Sequence, residues 1–141
     1  MPAKKTSTGL SAEERAAMRE TIKERKALAA KADGEKMLLA AVAKMKGQDR
    51  ALAQKVHEIV KAAAPHLGPK TWYGMPAYAK DDKVVCFFKP GAKFKDRYCT
   101  FGFNTPAKLD DGGMWATSFA IVKPNAADEA KLTALVKKAA A

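Results

Sequence analysis

Hydrophobic spacing changes period once along this chain, and that change limits the folds open to it. Between residues 35 and 64 the apolar residues recur at i, i+3, i+4 and i+7: Leu38, Ala41, Val42 and Met45, then Leu52, Val56, Ile59, Val60 and Ala63. This is the stripe of an amphipathic helix packed on a core. After Pro65-His66-Leu67-Gly68-Pro69 the spacing becomes strand-like and stays so as far as Val122. The stretch Lys70–Tyr78 lies at the junction, with Trp72, Tyr73 and Tyr78 close together beside Gly74 and Pro76. Helical layer and sheet are expected to meet there.

Taken in order, residues 1–10 are polar and read as loose. Ser11 and Glu14 form a capping box that opens a helix over 12–30. Its apolar stripe is thin, carried by Met18, Ile22 and Ala29 with Arg25 interrupting, so it reads as a solvated surface helix. Lys31-Ala32-Asp33-Gly34 reads as a turn, with Asp33 capping a second helix over 35–46. Gly47 is expected to end that helix and Asp49 to cap a third over 50–64, which Pro65 closes. Four strands follow, over 76–80, 83–89, 98–103 and 115–122, with Asp81-Asp82 as a two-residue hairpin turn. A last helix begins at Asn125 and buries Leu132, Leu135, Val136 and Ala139. In the second strand Val84, Cys86 and Phe88 alternate with Val85 and Phe87, so both faces are apolar. That strand is expected to be central and covered on both sides, by helices or by a partner subunit. The reading is α+β: a four-stranded antiparallel meander packed by N-terminal helices and a C-terminal helix. Residues 1–34 form a flexible start and basic surface helix, and residues 35–141 the folded domain.

A chain of 141 residues suits one main core. The formal charge of +11 is spread: residues 1–48 hold 11 Lys/Arg against 6 Asp/Glu, and residues 49–141 hold 15 against 9. Spread charge favours solubility and weak attraction to polyanions, and says nothing about fold. The longest apolar run, Met37 to Ala43, falls far short of the ~20 residues of a membrane span. The charged first residues lack the apolar segment of a secretory signal. The expected location is therefore the cytoplasm, with Cys86 and Cys99 reduced and structural.

Residues that could carry chemistry are few. No Gly-rich phosphate loop, CxxC pair or His-Glu zinc motif occurs. His57 on a helix and His66 in a loop have no ligand at metal spacing, and no acid, base and nucleophile can be assembled into a set. Asp81-Asp82 and Asp110-Asp111 are turn chemistry. The loop Lys89–Tyr98 mixes cations with aromatic rings, the composition of a single-strand stacking surface and of a solvated hairpin loop alike. If nucleic acid binds, Lys93, Phe94, Lys95, Arg97 and Tyr98 are the residues expected to carry it. The other candidate is a largely apolar concavity at the 72–78 turn, with Lys70, Trp72, Tyr73, Met75 and Tyr78 as ligand-binding residues and Trp115 opposite, the equal alternative being that these aromatic residues fill the core.

At Thr71-Trp72-Tyr73-Gly74-Met75-Pro76-Ala77-Tyr78 and Lys83-Val84-Val85-Cys86-Phe87-Phe88 the sequence resembles the YdhG-like family of small domains, most of unknown function. The likeness covers about residues 35–141, and Tyr73-Gly74-Met75-Pro76 is its most specific piece. The family includes a bacterial protein described as a frataxin-like iron chaperone. The resemblance implies helices packed on an antiparallel sheet, no established catalytic activity, and iron as the one cofactor it suggests. Frataxins present an acidic helix and strand edge, whereas the first helix here carries Arg15, Arg19, Lys23, Arg25 and Lys26 among its acids. The functional expectation is a non-enzymatic small-ligand-binding or iron-binding accessory protein, monomeric or homodimeric. The alternative is a basic-surface nucleic-acid or polyanion binder.

Overall fold

The structure, a computed structural model, describes residues 11–141; the loose polar start read for residues 1–10 lies outside them. Three helices and five strands follow one another: α1 (Ala12–Ala43), α2 (Gly47–Ala63), β1 (Gly68–Trp72), β2 (Met75–Lys80), β3 (Lys83–Lys89), β4 (Cys99–Phe103), β5 (Ser118–Ile121) and α3 (Ala126–Ala140). The strands form one antiparallel sheet in the order β1-β2-β3-β4-β5. The chain divides into two compact units, the first ending at Asp33 and the second Gly34–Ala141. No described helix is long and apolar enough to cross a membrane.

In the first unit Ser11 and Glu14 close the expected capping box: the Glu14 N–H donates to Ser11 Oγ at 3.1 Å and the Ser11 N–H to Glu14 Oε1 at 3.2 Å. Every residue from Ser11 to Asp33 is exposed.

The turn expected at 31–34 does not form. α1 runs through it without a break, because the flanking Ala, Lys, Glu and Leu residues favour helix strongly enough to carry one glycine. Gly34 serves packing instead. A Cβ there would overlap the carbonyl oxygen of Pro69 on β1, so a bare backbone lets this turn of helix touch the edge strand. Beyond it Leu38 and Val42 are buried, as the stripe requires. α1 ends by a tightened turn, with the Lys44 N–H on Ala41 O and the Met45 N–H on Val42 O. Gly47 then adopts a φ of +54° and reverses the chain into α2; it opens that helix rather than ending the previous one. Asp49 does not cap α2: the residue before the helix is Lys46, with no side-chain cap. Asp49 is buried, and its oxygens are used elsewhere, as described below.

The sheet has a fifth strand that the sequence reading missed, β1. The strands read from the spacing begin only at Pro76, so Gly68-Pro69-Lys70-Thr71-Trp72 falls in none of them. An edge strand accepts a proline, whose absent N–H would face away from the sheet. β1 pairs with β2 through a two-residue hairpin, Trp72 opposite Met75. β5 is shorter than expected, with 115–117 outside it.

β3 is central, as its two apolar faces require. Its pairing with β2 slips between Tyr78 and Ala79, leaving Val85 as an extra residue. A bulge of this kind redirects the strand, and Val85 and Cys86 in succession both join the core. Tyr78, Phe88, Phe101, Phe103 and Ile121 complete the sheet's contribution, and Leu38, Val42, Leu52, Val56, Val60, Leu132 and Val136 the helices'. Phe87 alternates to the opposite side. There it packs against the Trp72 ring, 5.2 Å away, over Gly102, where a Cβ would overlap the Phe87 ring. α3 is capped reciprocally by Asn125 and Asp128. Near its end Ala140 O accepts from His66 Nε2 at 2.8 Å, close to the favourable negative end of the helix.

One polar chain crosses this interior. His57 lies at i+4 from Ala53 on the buried face of α2. Its Nδ1 is 2.9 Å from the Tyr78 hydroxyl and its Nε2 2.9 Å from Glu35 Oε2, which also accepts from Lys61 Nζ at 2.8 Å. Every atom is satisfied when Nε2 donates to the Glu35 carboxylate and Nδ1 accepts the Tyr78 proton. Burial pushes the Tyr78 phenol well above its usual range, which keeps that proton in place as donor.

Candidate functional site

The 72–78 turn is built by two residues in left-handed backbone. Tyr73 has a φ of +52° and Gly74 of +75°, the pair of positive values of a type I′ hairpin, whose twist matches that of the strands it joins. The bend is therefore shared between Tyr73 and Gly74. A tyrosine held there is strained, and it stands at the hairpin tip, 79% exposed.

The six residues expected to line an aromatic concavity are dispersed by the fold. Trp72 and Tyr73 are in ring contact, 5.1 Å between centroids. Tyr78 and Met75 are buried, the former in the core against His57. Lys70 is half-buried on β1, and Trp115, 39% exposed, lies in the connection before β5. The basic and aromatic loop is tightly self-bonded. Lys89 pairs with Asp96 at 3.0 Å, and the Phe94 and Asp96 N–H groups both donate to Gly91 O. The ammoniums of Lys89 and Lys93 lie 5.2 and 5.6 Å from the Phe94 ring centre, and the Arg97 guanidinium 5.2 Å from that of Tyr98. The loop's cations thus occupy its own rings. Lys95 takes a φ of +60°.

The space that does form near the turn has a different lining. A cavity of about 740 Å³ opens among the last turns of α1 (Met37, Ala40, Ala41), the α1–α2 junction (Lys44, Met45, Lys46), Asp49 of α2, Thr71 and Gly74 of the first hairpin, and Ala92 and Lys93 of the β3–β4 loop. Its size is that of a small-molecule site. Two contacts hold its walls together. Lys93 Nζ donates to Gly74 O at 3.3 Å, joining loop to hairpin. Asp49 joins loop to helix: one oxygen accepts the Ala92 N–H at 3.0 Å, the other the Cys99 thiol at 3.3 Å. Cys99 Sγ in turn accepts the Gly91 N–H at 3.3 Å. A smaller cavity of about 260 Å³, also touching Asp49, is lined by Asp96, Arg97, Tyr98 and Cys99 among others.

Reading residues one at a time misses this lining because it comes from three stretches distant in sequence, 37–49, 71–74 and 92–93. The one usable signal is Lys44-Met45-Lys46, two cations around a core methionine directly before the chain reverses.

Both thiols are free and buried. Burial pushes Cys86 up to about 12. It pushes Cys99 up to about 11, the Gly91 N–H opposing and Asp49 adding to the rise. Both are protonated and shielded at neutral pH, which makes them poor nucleophiles. A thiol-specific disulfide reagent is expected to label the native protein slowly and to find two thiols after unfolding without reductant. Immediate labelling of the folded chain would contradict this packing. Among the described residues no group of three or more His, Cys, Asp or Glu side chains is placed to hold a metal ion.

Gly74→Val is expected to destabilise by about 1–3 kcal/mol, because a β-branched residue opposes a φ of +75°. Its new Cβ would also meet Lys93 Nζ at 2.6 Å, and that flexible chain can swing aside at the expense of its bond to the turn. Denaturant unfolding checks this; an unchanged midpoint would mean that the hairpin readily takes another geometry.

No family model matches the chain, and no curated protein or solved structure does either.

Proposed function

We propose that this protein is a non-enzymatic accessory protein, YdhG-like in type and cytoplasmic, that binds a small organic molecule in the cavity between α1, the first hairpin and the β3–β4 loop. One observation carries the reading: a cavity of about 740 Å³ whose apolar side chains are joined by Lys44, Lys46, Lys93 and Asp49. An apolar body with a few convergent polar groups is the usual make-up of a small-molecule site. Two shielded, protonated thiols and a histidine tied between Tyr78 and Glu35 support binding rather than catalysis. Iron rests on the family resemblance alone, so the reading is framed for an organic ligand.

The second reading, a polyanion binder acting through Lys93, Phe94, Lys95, Arg97 and Tyr98, has in its favour a loop of stacked cations and rings. A base seeking those rings would first displace the cations that cover them.

A thermal-shift screen of metabolites, nucleotides and metals, run on the parent and on Ala40→Trp, tests the choice. Ala40 is exposed on the cavity wall, so an indole there fills the space without entering the core. A ligand at about a hundred times its Kd adds about 2.7 kcal/mol of stability. Compounds that stabilise the parent are expected to lose their effect on the variant. Equal shifts in both proteins, or shifts from polynucleotides only, would overturn the cavity reading.

A further inference from the structure

The charge of the cavity wall bears on what it takes, and the inference rests on the proposed cavity reading. Three lysines elsewhere in the fold pair with carboxylates, Lys55 with Glu129, Lys61 with Glu35 and Lys89 with Asp96. The cavity's Lys44, Lys46 and Lys93 do not; among the described residues none has a carboxylate within 4.0 Å. The carboxylate they share a wall with, Asp49, is buried, and both its oxygens already accept, from Ala92 and Cys99. The wall holds three ammonium groups, that of Lys93 also donating to Gly74 O, against one engaged anion.

The rest of the lining is aliphatic and adaptable. Met37 and Met45 flank the two alanines of α1, Met37 lying 59% exposed. Unbranched thioether chains fit themselves to flexible apolar bodies. Among the described residues no aromatic ring lines the cavity, so none of them would stack on a nucleobase or aryl group. Exposed ammonium groups attract an anion at modest strength, while its tail is drawn from water by the methionines and alanines.

We propose that the cavity binds an aliphatic carboxylate, its acid group among Lys44, Lys46 and Lys93 and its alkyl chain along Met37, Ala40 and Met45.

Titration calorimetry with octanoate, octanol and octylamine, on the parent, Lys44→Met, Lys93→Met and Ala40→Trp, tests this. Both lysines are exposed, and a thermal melt of each variant confirms that it is folded. Octanoate is expected to bind the parent at least about tenfold more tightly than octanol, with octylamine weakest. Either lysine substitution should bring octanoate toward octanol, added salt should weaken octanoate alone, and Ala40→Trp should abolish both. Equal affinity for octanoate and octanol, both lost in Ala40→Trp, would overturn the carboxylate assignment and leave the cavity reading standing. Octanoate bound unchanged by Ala40→Trp would overturn both. No binding by any probe would overturn the carboxylate assignment, and the metabolite screen then decides the cavity separately.

Discussion

Gly34→Ala is expected to destabilise the protein by about 2–4 kcal/mol, although alanine is the better helix former. At an unremarkable helical position the exchange would stabilise by about 1 kcal/mol. Here the new methyl group would overlap the Pro69 carbonyl oxygen, which is backbone in a paired edge strand and cannot swing away as a side chain would. Either α1 lifts from β1 or the hairpin shifts, and Leu38 and Val42, both buried one and two turns further on, lose packing with it. Denaturant unfolding beside Gly113→Ala, where a Cβ meets nothing within 4 Å, separates the local clash from any general effect of glycine. A neutral or stabilising Gly34→Ala would mean that this contact does not position the helix.

The second large effect is expected at His57. His57→Ala removes the partner of the buried Tyr78 hydroxyl and opens space in α2's packed face, costing about 2–4 kcal/mol. Tyr78→Phe keeps the ring and should cost less, about 1–2 kcal/mol. His57→Leu combined with Tyr78→Phe should cost less than the two single changes added, since neither polar group is then stranded. The same chain gives stability a defined response to acid. The Glu35 carboxyl is held below its ordinary 4.5, first by its hydrogen bond from Lys61 and then by that from His57. A lowered carboxylate pKa favours the ionised group in the fold. Its contribution is therefore complete above the unfolded value near 4.5 and is lost as pH falls through the folded one. Glu35→Gln should lower the unfolding midpoint at pH 7 and flatten its decline below pH 4.5. Parallel acid limbs for parent and variant would contradict the role given to Glu35.

Strong periodicity made α2, α3 and the strands β2 to β4 readable from the residues, since each buries one regular stripe or alternates through the sheet. His57 fits the same rule: it continues the Ala53, Val56, Val60 face, and that spacing alone places it inside. What the spacing could not show depends on contacts distant in sequence. Gly34 looks like a helix stop until Pro69 is found beside it. Gly68–Trp72, with its Gly and Pro, shows no alternation of its own, and it is the pairing with β2 that makes it an edge strand. Asp49 looks like a cap because Asp at a helix start usually is one, whereas here Ala92 and Cys99 compete for its oxygens and win. The candidate site follows the same logic. The aromatic residues of the 72–78 turn are conspicuous in the sequence, yet the fold sends Tyr78 to the core and Tyr73 to solvent. The cavity beside them takes Ala41 and Met45 from the edge of a buried stripe and adds Met37, Ala40, Lys44, Lys46 and Lys93, which lie off it.

Amide chemical-shift mapping of the isotope-labelled protein during an octanoate titration tests the central claim most directly. Saturable shifts are expected at Thr71, Gly74, Ala92 and Lys93, with Ala40 and Ala41 on the facing helix, all following one binding curve. Shifts confined to Phe94, Lys95, Arg97 and Tyr98, or scattered over the basic surface without saturation, would contradict it.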